Sequence, residues 1–195
     1  MRYNWKRLSD RVSIAREPRK FSDNEIALGE AKVGFKLPPS YREYMQVFGM
    51  GSWSDGEDGE LEILVGVPTW QSTQSSTLAY MVDEYRSLNK KFLRGYDPLV
   101  YKIACFILHE TCFVGWDLER MANDEYPIVV VRRQDMHIFH GGESLFEFFW
   151  NFIVQKKGKD CEIWCPRIPV YKGWDDSYDN LSEEFLDQYG VPKGL

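Results

Sequence analysis

Residues Ser144 to Lys157 restrict the fold more than any other stretch of the chain. Leu145, Phe146, Phe148, Phe149, Trp150, Phe152, Ile153 and Val154 surround a predicted helix, and only Glu147, Asn151 and Gln155 form a polar line at i, i+4 and i+8. A helix that is apolar nearly all round has to be covered on more than one side. The expected cover is a sheet on one side and the C-terminal segment 158–195 on another, because Trp164, Trp174 and Tyr178 supply matching apolar surface. The alternative is an exposed patch that binds a partner.

The local signals before this helix are ordered. Ser22-Asp23-Asn24-Glu25 reads as a capping box, opening a helix that runs to about Val33 and stops at Gly34. Pro38-Pro39 enforces an extended corner. Ser40-Tyr41-Arg42-Glu43 reads as a second box, with Tyr41, Tyr44, Met45 and Phe48 forming one apolar stripe that ends at Gly49. Residues 51–60 are rich in turn formers and read as an exposed loop. A strand is predicted over Leu61–Val65, a helix over Ser72–Lys91, and strands over Ile103–Leu108, Cys112–Leu118, Ile128–Arg133 and Met136–Phe139. Ser144-Leu145-Phe146-Glu147 is a third box, and a last helix is predicted over Asn180–Tyr189. Helices first and hairpin-linked strands later indicate an α+β fold: N-terminal helices packed on a mainly antiparallel sheet, a closing C-terminal helix and an extra C-terminal extension. The expected division is a basic extension over 1–20, a domain over 21–157, and an extension over 158–195 packed on the same domain.

Charge is unevenly spread. Residues 1–20 hold seven basic side chains against two acidic ones, net +5, so the remainder carries −11 to give the total of −6. An acidic body argues against a nucleic-acid surface; it fits either a basic partner or a simple need for solubility. The N-terminus has no apolar h-region, no apolar run is long enough to span a bilayer, and four cysteines read as reduced thiols, so a cytoplasmic location is expected. The basic N-terminus itself reads as a flexible arm, a packed extra helix or a cover for the acidic loop.

The chain carries no complete catalytic or metal motif. His109-Glu110-Thr111-Cys112-Phe113 begins like a zinc-protease motif but has Phe113 where the second histidine is needed. His137 and His140 are three apart on a predicted strand and point to opposite faces. Cys161 and Cys165 lack a matched pair, and Asp55, Glu57, Asp58, Glu60 and Glu62 do not have calcium-loop spacing. We therefore expect no catalytic residues, no metal and no cofactor.

Laid out this way, the chain resembles the SUKH superfamily, which includes fungal cell-wall-assembly regulators and many bacterial immunity proteins. The residues that carry the resemblance are Glu30 before Phe35-Lys36-Leu37-Pro38, then Ser40-Tyr41-Arg42-Glu43-Tyr44-Met45 and Phe48-Gly49. The Leu61–Val65 strand, Asp117 after Gly115-Trp116, Pro127-Ile128-Val129 and the helix entered through Glu143-Ser144 support it over about residues 22–157. Phe48-Gly49-Met50-Gly51 departs from the Asn-Gly that relatives often carry there. The resemblance implies a non-enzymatic binding domain, often an immunity protein that blocks a cognate toxin, commonly a nuclease; the alternative is a regulatory interaction module, and a distant one an unrecognised enzyme. The implied partner is a basic toxin domain, with no nucleic acid and no membrane, and the oligomeric state stays open. Trp53 with Asp55, Glu57, Asp58, Glu60 and Glu62 forms one candidate binding surface, and Asp175, Asp176, Asp179, Glu183, Glu184 and Asp187 near Trp174 and Tyr178 a second. For each, a solvated loop or helix face is the competing reading.

Overall fold

Helix starts and stops follow the caps closely in the first third of the chain. The computed structural model describes residues 2–56, 63–68, 77–92, 96, 98–157 and 169–174. A five-residue helix α1 (Trp5–Ser9) and a strand β1 (Ser13–Arg16) come first. Helix α2 (Asp23–Val33) opens with the expected box, the Ser22 N–H donating to Glu25 Oε2 at 2.9 Å, and closes at Gly34 with φ at 77°. Helix α3 (Pro39–Val47) does not use its box. Pro38 takes the cap position, because a proline-fixed φ with no N–H to satisfy suits Pro39 to the first helical position. Ser40 thereby lies one residue inside the helix and faces the interior.

The next expectation, a loop over 51–60, fails over its first half, and 57–60 lie outside the described residues. Residues 51–55 are not loop but a buried strand, β2 (Gly51–Asp55), paired antiparallel with β8 (Pro169–Gly173) and with β3 (Ile63–Leu64). Gly51 is needed there: a Cβ would stand 2.4 Å from the Lys172 carbonyl oxygen. Helix α4 (Leu78–Phe92) lies within the predicted 72–91 range at its N-terminal side and overruns it by one residue; Ser72 to Ser76 lie outside the described residues.

Four strands follow, β4 (Ile103–Leu108), β5 (Cys112–Asp117), β6 (Ile128–Arg132) and β7 (Ile138–Gly142), as an antiparallel meander. The start of β7 is displaced from the predicted Met136, which has φ at 58° and belongs to the turn. Asp135 holds that turn by accepting from Arg132 Nε at 2.9 Å and from the His137 N–H at 3.1 Å.

The α+β class holds, with the strands divided between two four-stranded sheets rather than one, in the orders β1-β8-β2-β3 and β4-β5-β6-β7. Among the described residues the pairings between named strands are antiparallel except β1 with β8. The Gly66 N–H bonds the Phe106 carbonyl at 2.8 Å, joining the chain after β3 to β4. Alternation along β5 and β6 sends Val114, Trp116, Ile128 and Val130 into the main core, and Phe113, Val129 and Val131 toward Tyr85 of α4.

The closing helix α5 (Leu145–Phe149) is α-helical for five residues and then widens into a π-turn over Trp150–Val154, where the expected α-helix would continue. The extra residue in that turn keeps Phe148, Phe149, Phe152 and Ile153 all buried. Its cover includes the expected sheet and C-terminal segment and adds α1 and α3. Phe149 stacks on Tyr44 of α3 at 5.2 Å and on Trp53 of β2 at 5.1 Å, while Trp5 of α1 meets Phe146 at 5.0 Å. From the C-terminal segment Trp174 packs on this core; Trp164 and Tyr178, like the predicted Asn180–Tyr189 helix, lie outside the described residues.

Candidate functional site

The Leu-Pro corner is turned inward. The Glu30 carboxylate accepts the Leu37 N–H at 2.8 Å and pairs with the Arg42 guanidinium, whose Nε donates to the Leu37 carbonyl at 3.1 Å. Tyr41 donates its hydroxyl proton to the Gly66 carbonyl at 2.7 Å, under the Trp116 ring. These residues set the angle between α2 and α3 and present little to a partner.

Titratable groups in the interior serve the same end. Burial pushes the Cys105 thiol well above the usual thiol range, and burial lowers the His109 imidazole, which sits against Thr111 Oγ1 at 3.0 Å. Asp117 is buried and accepts the Glu119 N–H at 3.1 Å. His140 pairs with Glu143 at 3.2 Å, and the His137 ring lies against Phe139. Among the described residues no group of three or more His, Cys, Asp or Glu side chains could hold a metal ion.

The two acidic candidates fall as follows. Trp53 cannot be a surface anchor: it is fully buried in β2, donates from Nε1 to the Tyr44 hydroxyl at 2.9 Å, and is packed between Phe48, Phe149 and Tyr171. Its turn-rich neighbours suggest exposure, but β8, over a hundred residues on, supplies the strand that buries it. Asp55 is half-buried at the end of β2, opposite Pro169. Glu57, Asp58, Glu60 and Glu62 lie outside the described residues, as do Asp175, Asp176, Asp179, Glu183, Glu184 and Asp187. Trp174 is half-buried; its N–H donates to the Met50 carbonyl at 2.8 Å and its carbonyl accepts the Arg19 N–H at 2.7 Å. Since β2 and β8 run antiparallel, with Asp55 opposite Pro169, Asp55 and Trp174 mark opposite ends of one ladder, five residues or roughly 17 Å apart at about 3.3 Å per residue. The two acidic segments are therefore rooted at separate places and not brought together at their roots.

Sequence reasoning missed a buried polar cluster on the other side of α3. Glu125 follows two residues with left-handed backbone, Asn123 and Asp124, in a tight turn between β5 and β6. Its carboxylate accepts the Ser40 N–H at 2.8 Å and the Ser40 hydroxyl at 2.6 Å, and Ser40 Oγ in turn accepts the Leu145 N–H at 3.1 Å. Burial raises the Glu125 carboxyl above the usual carboxylate range, and the bonds from Ser40 and the Tyr3 hydroxyl pull it back. Glu43 accepts the N–H groups of Arg2 and Tyr3, and Arg2 donates from its guanidinium to the Asn123 carbonyl at 2.6 Å. The basic N-terminus is thus, of the three roles open to it, a packed extra helix: Trp5 and Leu8 are fully buried. Their i, i+3 spacing was the available signal, hidden among cations.

No helix among the described residues is long and apolar enough to cross a membrane. The model of the SMI1 / KNR4 family (SUKH-1) matches residues 20–177. A comparison with curated proteins finds no match. The chain belongs to the SMI1 / KNR4 family (SUKH-1).

Proposed function

We propose, with that membership as the premise, that this is a non-enzymatic protein-binding domain and, more finely, an immunity protein that neutralises a basic toxin domain by direct contact in the cytoplasm. The observation that carries the finer reading is the charge layout. Outside the first 20 residues the chain carries −11, and much of it is concentrated in 55–62 and 175–187, which leave the β2–β8 ladder at its two ends. A nuclease needs a cationic groove for its phosphate-bearing substrate, and carboxylates on a protein surface can occupy it. Steering by the acidic surface speeds encounter, and half-buried Trp174 beside one acidic root offers apolar contact that slows release. The non-enzymatic part is supported by the interior carboxylates, thiol and imidazole among the described residues, which are engaged in structural bonds.

The test is capture from native cytoplasm by tagged protein at low and high salt, followed by assay of the captured partner with and without this chain. Capture of a basic toxin domain whose activity this chain abolishes, weakened by charge reversal at Asp55, Glu57 and Asp58, is the expected result. A gene for a large toxin with a variable C-terminal domain immediately upstream would point the same way. Salt-insensitive capture of cellular proteins alone would replace immunity with the regulatory reading.

A further inference from the structure

Residues 2–9 lie outside the segment matched by the family, yet they fill a groove lined by family residues. Trp5 and Leu8, three apart on α1, are fully buried. The Trp5 ring meets Tyr44 at 5.6 Å and Phe48 at 6.0 Å on α3, and Phe146 at 5.0 Å on α5. Arg7 lies 4.4 Å over the Trp150 ring. The rim is anionic toward the segment: Glu43 takes two of its backbone N–H groups and Glu125 faces Tyr3 and Arg2.

Two features make this a ligand-like contact rather than ordinary core. A helix of five residues is far too short to form by itself, so the groove imposes its shape, as it would on a bound peptide. And Trp5 Nε1, like Trp116 Nε1 in the core, is buried without a hydrogen-bond partner among the described residues; on a segment this short that cost loosens the hold of an otherwise well-covered anchor.

We propose that the groove between α3 and α5 is a docking site for a short helical segment with an aromatic anchor, an aliphatic residue three positions later and cationic flanks. This chain fills it in cis with residues 2–9, and a partner segment of the same chemistry fills it by displacing them. A helix laid in an aromatic groove is recognised through such i, i+3 anchors; Glu43 holds the backbone N–H groups at its start, while the Glu125 charge and the Trp150 face favour cationic side chains. The inference rests on the protein-binding reading, but its test uses only the chain's own segment, so it stands or falls separately from any toxin.

The intact chain is examined by hydrogen exchange, and a full-length Trp5→Ala variant is titrated with a fluorescent peptide of residues 2–12. The amides of α1 are expected to exchange at least about 100-fold faster than those of β5 and β6, reporting local opening. The Trp5→Ala chain is expected to stay folded and bind the peptide at least about ten-fold more tightly than the wild type, whose groove is occupied. A peptide carrying Trp5→Ala should not bind. Protection of α1 equal to that of the sheet, a folded variant that ignores the peptide, or a variant that does not fold would each overturn the proposal.

Discussion

Replacing Ser40 with alanine removes a single oxygen and leaves no cavity of consequence, so its effect reports the polar cluster directly. Two bonds disappear. The 2.6 Å bond from the hydroxyl to Glu125 is of the charged kind, worth about 1.5–3 kcal/mol. The Leu145 N–H loses its acceptor at the start of α5, and an unsatisfied buried donor costs about 1–3 kcal/mol. Allowing for partial relaxation, the expected loss is about 3–4 kcal/mol, which lowers the urea midpoint by about 1–2 M at slopes of about 2–3 kcal/mol per molar. The pH dependence gives the sign. Burial raises the Glu125 carboxyl in the folded state, so the stability linked to its protonation is complete below the unfolded pKa and lost as pH rises through the folded one. Removing a bond that lowers that pKa widens this window. The variant should accordingly lose more at pH 8 than at pH 5, by urea titration at both. A loss under about 1 kcal/mol at pH 8, or one that grows on acidification, would refute the reasoning. In a Glu125→Gln background the same substitution should cost less, since the two side chains act as one unit.

Arg42→Met breaks the grip on Glu30 and on the Leu37 carbonyl, both partners being less than a third exposed, and should cost about 1–2 kcal/mol by chemical denaturation; no measurable loss would remove the latch from the account. Gly49 and Gly34 share left-handed backbone but not surroundings. A Cβ at Gly49 would meet the Arg19 carbonyl oxygen at 2.1 Å, whereas one at Gly34 meets nothing within 4 Å. Gly49→Ala should therefore cost more than about 3 kcal/mol and Gly34→Ala about 1, read from their melting curves, and equal losses would be the wrong answer. Cys105 and Cys112 are buried, and burial holds the Cys105 thiol far from ionising. Neither should be alkylated by iodoacetamide at neutral pH until the chain is unfolded, as mass spectrometry of the labelled peptides would report.

What could be read from the sequence was set by how far each residue's partner lies along the chain. Ser22 and Glu25 satisfy one another within three residues, and Gly34 ends its helix by its own backbone, so α2 was legible in full. The β4–β5 hairpin closes over three residues, His109 to Thr111, and its strands fell where the pattern put them. Ser40 and Glu43 carry the same Ser-x-x-Glu signature as Ser22 and Glu25, yet Pro39 moved the helix start forward. Ser40 was then left to find Glu125, 85 residues away, and Glu43 to find the start of the chain. Trp53 shows the same limit for the candidate surface. Beside acids and glycines it looked like an exposed anchor, and only β8 decides that it is not. Trp5 is its counterpart, an aromatic among cations that resembles a solvated arm until Phe146 arrives to receive it. Composition named Trp53 as an anchor and passed over Trp5, and in both the fold decided which surface the ring meets. For Trp53 the partner is a permanent strand ladder with its N–H satisfied by Tyr44. For Trp5 it is a groove with the N–H left unpaired among the described residues, on a five-residue helix too short to form alone, and the two together are the physical ground for expecting one to stay and the other to exchange.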